Sequence, residues 1–512
     1  MNKMLVVMLV SVVVLGTLIW MLQSGSNGRN RPANLVDPTG DGEDQPLMFF
    51  CAASNRAVME QIVAEYTEEY GREIELQYGG SQTLLAQLEV TGAGDLYLPA
   101  DDSYLKTAKE MNLVSEVLPI AKMEIVVAVR KGNPKSIQSL EDLSREDVAL
   151  VQANPDATAV GKVTRRILQE TGQWDLIDKS TTAYRTTVTE AANDLVVGAA
   201  DAAIVYDAVL HTYPDLEYVS LPEFASGTSL VALGVTRTTR QPRAALHFAR
   251  FVTARDRGLA NYAKHGFQVE QGDVWSDTPE LNLFAGSMLR PAIEETVKQF
   301  EKREGVRVNT VYNGCGILVA QMKAGQVPDA YFACDTEFME QVPDLFPEPT
   351  DVSQNELVII VKKGNPHNIA GLRDLTKEGL RVGIGHEKQC AMGWVTQNTF
   401  REGGVQTEVM ENVTVQTPTG DMLVNQMRAG SLDAAVVYLS NTAGSGNFLD
   451  AVRIQGLECS VATQPYAIKP ESPNALTASR LFQQICSTES QESFTAEGFR
   501  WKVDMESSGV DD

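Results

Sequence analysis

Phe49-Phe50-Cys51-Ala52-Ala53-Ser54, followed by Asn55-Arg56-Ala57-Val58, passes from apolar residues through two alanines and a serine into a helical pattern. Val58, Ile62, Tyr66 and Tyr70 recur every fourth residue, the spacing of one buried helix stripe. The stretch reads as a buried strand, a tight turn and a helix, with Ser54 at or beside the N-cap. Free N–H groups and the positive end of the helix dipole make such a turn a ready anion site. A serine there also serves as a plain cap with no ligand. The same construction returns at Leu283-Phe284-Ala285-Gly286-Ser287. That recurrence sets the architecture.

Tyr78 to Leu88 matches Tyr312 to Met322, and Asp95 to Asp101 matches Asp329 to Asp335, both 234 positions apart. Ile125 to Pro134 matches Leu357 to Pro366, and Ala202 to Tyr206 matches Ala434 to Tyr438, 232 apart. Ordered matches at a nearly constant, long offset predict two complete domains rather than a solenoid. The boundary falls near 271–280, where Gly272, Asp273, Ser276, Asp277 and Pro279 form a polar linker. Within a copy, the runs Ile125–Val129, Ala149–Val151 and Ala202–Tyr206 alternate with helical patterns near 161–171 and 188–198. This order predicts α/β lobes with mostly parallel sheets. In such sheets ligands sit beyond the carboxyl ends of strands, here the turns after Phe50, Tyr78, Val151 and Val205.

A chain of 512 residues exceeds one core. A net charge of −24 argues against nucleic acid, though backbone dipoles can still hold a small anion. None of the five histidines sits in an His-x-x-x-His metal spacing. Residues 4–22 are apolar except for Ser11, Gly16 and Thr17, roughly 28 Å as a helix, and Lys3 flanks them. An uncleaved membrane anchor is expected over 1–22, with a cleaved, secreted form as the alternative. Residues 23–46 then form a flexible linker, followed by a first module at 47–271 and a second at 280–504.

Each copy resembles the molybdate-binding members of the type II periplasmic solute-binding proteins. The resemblance rests on Ala-Ala-Ser at 52–54, Gly-Gly-Ser at 79–81, Asp-Leu-Tyr-Leu-Pro-Ala-Asp at 95–101, Asn154-Pro155-Asp156 with Gly161, and Ile-Val-Tyr at 204–206. It implies two tandem modules, each of two α/β lobes closing over an oxyanion. It also implies, as ligand donors, Ser54, Ser81 and Tyr206 with backbone N–H groups near Val160 and Val188. In the second copy the corresponding set is Ser287, Cys315, Met392, Gly420 and Tyr438. Molybdate or tungstate is the implied ligand, ahead of sulfate-like anions, with delivery to an ABC permease and its ATPase. No cofactor and no catalytic residue is implied. No Gly-x-x-x-x-Gly-Lys-[Ser/Thr] motif occurs, so energy would come from that partner.

The second copy departs from the pattern. Cys315 stands where the first has Ser81, Cys334 where it has Ala100, and Gly420 where it has Val188. The loop His386 to Gly393 aligns without gaps to Asn154 to Gly161 and adds Cys390 and His386. A thiol is a weaker donor than a hydroxyl, which predicts weaker anion binding there. The cysteines also allow a soft-metal site of Cys315, Cys334, Cys390 and His386, or a thiolate nucleophile activated by His386. Either would make the second cleft a metal- or thiol-dependent redox or sensory site. Plain cleft-lining cysteines, or a disulfide, are the simpler reading. Cys459 and Cys486 are a separate candidate disulfide, and Cys51 a core residue.

Overall fold

The computed structural model describes residues 45–503. The expected anchor at 4–22, and all of the linker at 23–46 except its last two residues, lie outside the described residues. Among the described residues no helix is long and apolar enough to cross a membrane.

The first module contains β1 (Leu47–Ala52), β2 (Ile74–Gly79), β3 (Leu96–Leu98), β4 (Val114–Arg130), β5 (Leu150–Ala153), β6 (Thr181–Arg185), β7 (Ala202–Tyr206), β8 (Leu216–Val219), β9 (Thr228–Thr236) and β10 (Gln268–Val269). Their order is β2-β1-β3-β9-β4-β7-β5-β6. The second contains β11 (Glu280–Gly286), β12 (Arg307–Asn313), β13 (Ala330–Phe332), β14 (Thr350–Lys362), β15 (Val382–Gly385), β16 (Val413–Thr417), β17 (Ala434–Tyr438), β18 (Leu449–Arg453), β19 (Val461–Ile468) and β20 (Arg500–Trp501). The order repeats strand for strand as β12-β11-β13-β19-β14-β17-β15-β16. Each module buries its own apolar core, as a duplicated domain must.

The 17-residue β4 makes two lobes out of one chain. Its first part, to Glu124, pairs with β9, and its second, from Ile125, pairs with β7 and β8. β14 divides in the same way, between β19 before Leu357 and β17 and β18 after it. The sheets are therefore mixed rather than mostly parallel. β1, β2 and β3 run parallel, as do β5, β6 and β7, but β4 and β9 run against their neighbours. A strand leaving one lobe for the other must run against the strand that returns.

The Phe49–Val58 stretch forms as strand, one 3-10 turn at Ala53–Asn55, and the start of helix Arg56–Tyr70. Val58, Ile62 and Tyr66 are buried along that helix. Its N-cap is Asn55, so Ser54 lies one residue ahead of the cap, inside the turn. Cys51 is fully buried, as expected of a core residue.

The modules are joined by a buried ion cluster. Glu304, the last residue of helix Arg290–Glu304, accepts from Arg480 Nε at 2.6 Å and from Arg480 Nη2 at 3.1 Å. Arg250 of the first module lies 3.3 Å from the same carboxylate and donates to the Glu304 carbonyl. Burial alone would raise the Glu304 carboxyl, but the two guanidiniums, Arg480 foremost, hold it below the usual range. The linker is docked rather than loose. Asp273 accepts the N–H groups of Leu476 and Thr477, which begin helix Ala475–Ile485.

Removing one partner of a buried ion group costs about 3–5 kcal/mol, because the remaining charges are stranded. Glu304→Gln is therefore expected to destabilise the chain by that order, read by urea or thermal unfolding. The contribution is a depressed-carboxylate one. It is present above the unfolded pKa of roughly 4.3 and lost as pH falls through the folded value. The destabilisation by Glu304→Gln should therefore shrink below about pH 4.

Candidate functional site

Five residues from separate parts of the first half meet at one small cavity. Ser54, Ser81, Val160, Val188 and Tyr206 all line it, together with Ala100, Thr158 and Thr187, in a space of ≈ 20 Å³. On that measure a single water needs roughly 10–15 Å³, so only a compact ligand fits the closed cleft.

Each of the three hydroxyls is already held by a hydrogen bond, and the Ser54 and Ser81 oxygens are its acceptors. Asn55 Nδ2 donates to Ser54 Oγ at 3.2 Å, and the Tyr262 hydroxyl fixes that amide by donating to Asn55 Oδ1 at 3.1 Å. The backbone N–H of Ala100 donates to Ser81 Oγ at 3.1 Å. Tyr206 and Ser229 hydroxyls are 2.9 Å apart, and Ser229 as donor leaves the Tyr206 proton to the cavity. Burial raises the Tyr206 phenol well above its ordinary value, so the proton stays in place.

Two helix N-termini complete the ring. Helix Ala159–Glu170 is capped by Thr158, whose Oγ1 accepts from Gly161 N at 3.2 Å. Helix Val188–Val196 is capped by Thr187 in a reciprocal capping box with Glu190. Each cap consumes the third N–H of its helix. The first N–H groups, including those of Val160 and Val188, lack intrahelical partners and lie at the cavity wall. Asp95 and Asp101 do not take part. Asp95 accepts from Met48 N, and Asp101 from Ser103 N, as braces of their own loops.

Both clefts are closed by the same bond. Gln82 N donates to Ala157 O at 3.2 Å across the first, and Gly316 N to Gln389 O at 3.1 Å across the second. Glycine is needed at that seam. A Cβ on Gly80 would lie 2.4 Å from Ala157 O, and one on Gly314 2.4 Å from Gln389 O.

The second cleft keeps this frame and changes its lining. Tyr438 ends β17 as Tyr206 ends β7. Cys315 begins its helix as Ser81 does, and its sulfur accepts from Cys334 N at 3.1 Å, repeating the Ala100 bond. Cys390 stands at the N-cap of helix Ala391–Glu402 where the first module has Thr158, without a side-chain cap bond, and Met392 takes Val160's place. Gly420 begins helix Gly420–Arg428 in place of Val188, and the Asn441 amide fills the space its Cβ would occupy. The strand register moves one assignment. Ser287 falls at Ala53's place, and the residue at Ser54's place is the buried Met288. Ser229 pairs with Met123, whereas the same register gives Ala462 opposite Asn355. The buried Tyr438 hydroxyl and both polar atoms of the Asn355 amide consequently have no hydrogen-bond partner among the described residues.

The cysteine alternatives fare differently. Among the described residues no group of three or more His, Cys, Asp or Glu is placed to hold a metal, so Cys315, Cys334, Cys390 and His386 form no such set. The His386 ring accepts from Lys388 N at 3.2 Å rather than serving a thiol. Burial pushes the Cys390 thiol up to about 12, which leaves no thiolate at neutral pH. Cys459 and Cys486 are both free. Thr158, Thr187, Asn55 and Ser229 were not singled out from the sequence. Thr187 carried a readable signal, the Thr-x-x-Glu of a capping box; Ser229, distant in the chain, carried none.

Comparison with known proteins agrees with the duplication. The family described as bacterial extracellular solute-binding protein matches residues 47–268 and again 281–500. The molybdate-binding protein ModA of Mycobacterium tuberculosis (strain ATCC 25618 / H37Rv) is 30% identical over 231 residues, 44% of this chain and 86% of that protein. The Escherichia coli (strain K12) protein of the same name is 26% identical over 98 residues, 18% and 38% of the two chains. Among solved structures, the periplasmic molybdate-binding protein of Azotobacter vinelandii aligns at 15% identity, covering 44% of this chain and all of its own, with a TM-score of 0.39. The sulfate-binding protein SubI of M. tuberculosis H37Rv aligns at 18%, covering 44% and 88%, with a TM-score of 0.37.

Because the seam admits no side chain, Gly80→Ala should prevent closure of the first cleft. The expected readout is loss of hydrogen-exchange protection at the Gln82 amide, with Gly316 in the second cleft unaffected.

Proposed function

The chain belongs to the molybdate-binding type II periplasmic solute-binding proteins, in two tandem copies, and we propose that its first module captures a small tetrahedral oxyanion, molybdate or tungstate. Ser54, Ser81 and Tyr206 give their hydroxyl protons, and backbone N–H groups at Val160 and Val188 give theirs. The observation that carries this reading is the trio of hydroxyls whose oxygens are already engaged, around a cavity of ≈ 20 Å³.

Bonds to a charged acceptor contribute about 1.5–3 kcal/mol each. Five give roughly 8–15 kcal/mol gross, less several kcal/mol for lost motion and desolvation. With about 4 kcal/mol lost, the net is roughly 4–11 kcal/mol, whose upper part reaches micromolar binding and tighter. Neutral donors hold a dianion firmly without the salt bridge that would resist its release. The captured anion is then handed to a membrane permease and its ATPase, with the chain held outside the cytoplasm by residues 4–22.

In the second module the proposed set is Ser287, Cys315, Met392, Gly420 and Tyr438. It offers fewer hydroxyl donors, with Met288 at the first serine's place and a thiol at the second's. It would bind the same anion weakly, or take a different ligand.

Molybdate and tungstate should raise the melting temperature of the full chain, by an amount corresponding to about 2.7 kcal/mol at one hundred times Kd. Ser81→Ala should weaken binding on the order of tenfold to a hundredfold. Cys315→Ala should leave the main binding event unchanged. A full chain indifferent to both anions in calorimetric titration would sink the reading.

A further inference from the structure

We infer that Cys315 and Cys334 are a disulfide-forming pair, a modification site in the second module that the first module lacks. Their sulfur atoms lie 2.7 Å apart, against a bonded length of about 2.05 Å. Cys334 N donates to Cys315 Sγ at 3.1 Å, which holds the helix start and the segment after β13 in register for the bond. A third residue makes the room. A Cβ on Gly286 would lie 2.0 Å from Cys334 Sγ and 3.2 Å from Cys315 Sγ. The first module has Ala52, Ser81 and Ala100 at these three places, so it has neither the sulfurs nor the gap. Three changes that make sense only together point to the pair rather than to scattered small residues.

Cys390 is not the partner. Its sulfur is directed at the carbonyls of His386 and Thr417, 3.6 Å from each, within its own lobe. Both Cys315 and Cys334 are buried, and hydrogen bonding to Cys315 together with burial holds the Cys334 thiol well above its ordinary value. Exchange therefore takes place while the lobes are apart or before the module has finished folding.

The oxidant is a small-molecule or protein disulfide of the kind met outside the cytoplasm. One thiolate attacks it, forming a mixed disulfide and releasing one thiol. The second thiolate displaces the other half. Two S–H bonds are lost and one S–S bond is formed. The two electrons and, through solvent, the two protons pass to the oxidant, which leaves as two thiols with no net release of protons. The bond removes the S–H donor at Ser81's place, whatever ligand the second cleft takes.

The test uses the full chain equilibrated with oxidised glutathione, denatured, alkylated without reductant and digested for mass spectrometry. Cys51, Cys390, Cys459 and Cys486 should carry label, and the peptides of Cys315 and Cys334 should be linked and unlabelled. The intact mass should fall by about 2 Da before labelling, and reduction should restore label at both positions. In Cys334→Ala, which installs the residue found at Ala100, Cys315 should become labelled or glutathionylated. Full labelling of Cys315 and Cys334 in the parent chain, or a link from either to Cys390, would overturn the inference.

Discussion

A hydroxyl whose oxygen already accepts a bond has only its proton left to offer. In the first cleft this holds for Ser54, through Asn55, and for Ser81, through the Ala100 N–H; it holds for Tyr206 when Ser229 is the donor of the bond they share. The second layer of donors fixes the direction of the first. The hydroxyls of Ser54 and Ser81 come from one lobe, and Tyr206 and the two capped helices from the other, around one small cavity. A chain of net charge −24 can hold a dianion by this means, because the field that matters is set within a few ångströms.

The fold brings the proposed donors to one cavity. β4 and β14 each cross between lobes, so the serines come from one lobe and the capped helices from the other. A backbone bond beside a glycine spans the cleft, and that seam is the same in both modules. Between the modules, the Arg250–Glu304–Arg480 cluster and the docked Asp273 tie the duplicated halves together without touching either cleft.

Much of this was legible in the sequence. The repeat located both modules, and Ala202–Tyr206 and Val188 were read at the right positions because β-branched runs and a helix start leave local patterns. The sheets were expected to be mostly parallel, since strands that change lobes look locally like any others. By sequence Ser287 matches the serine of Ala-Ala-Ser, whereas the pairing of β11 with β12 places it one residue earlier. Ser229 and Asn55 act through other residues, and no local pattern announces a hydroxyl that orients another hydroxyl. The proposed Cys459–Cys486 bond failed because two leftover cysteines carry no geometry.

The two clefts share one backbone and differ in chemistry. Sulfur or glycine replaces hydroxyl, threonine or aliphatic side chains at Cys315, Cys390, Met288, Met392 and Gly420, while the tyrosine and the seam glycine are retained. The most direct measurement is an anomalous difference map from crystals of the full chain grown with tungstate. A dominant peak is expected within hydrogen-bond reach of Ser54 Oγ, Ser81 Oγ and the Tyr206 hydroxyl. Tungsten held instead by lysine or arginine side chains, with that point vacant, would contradict it.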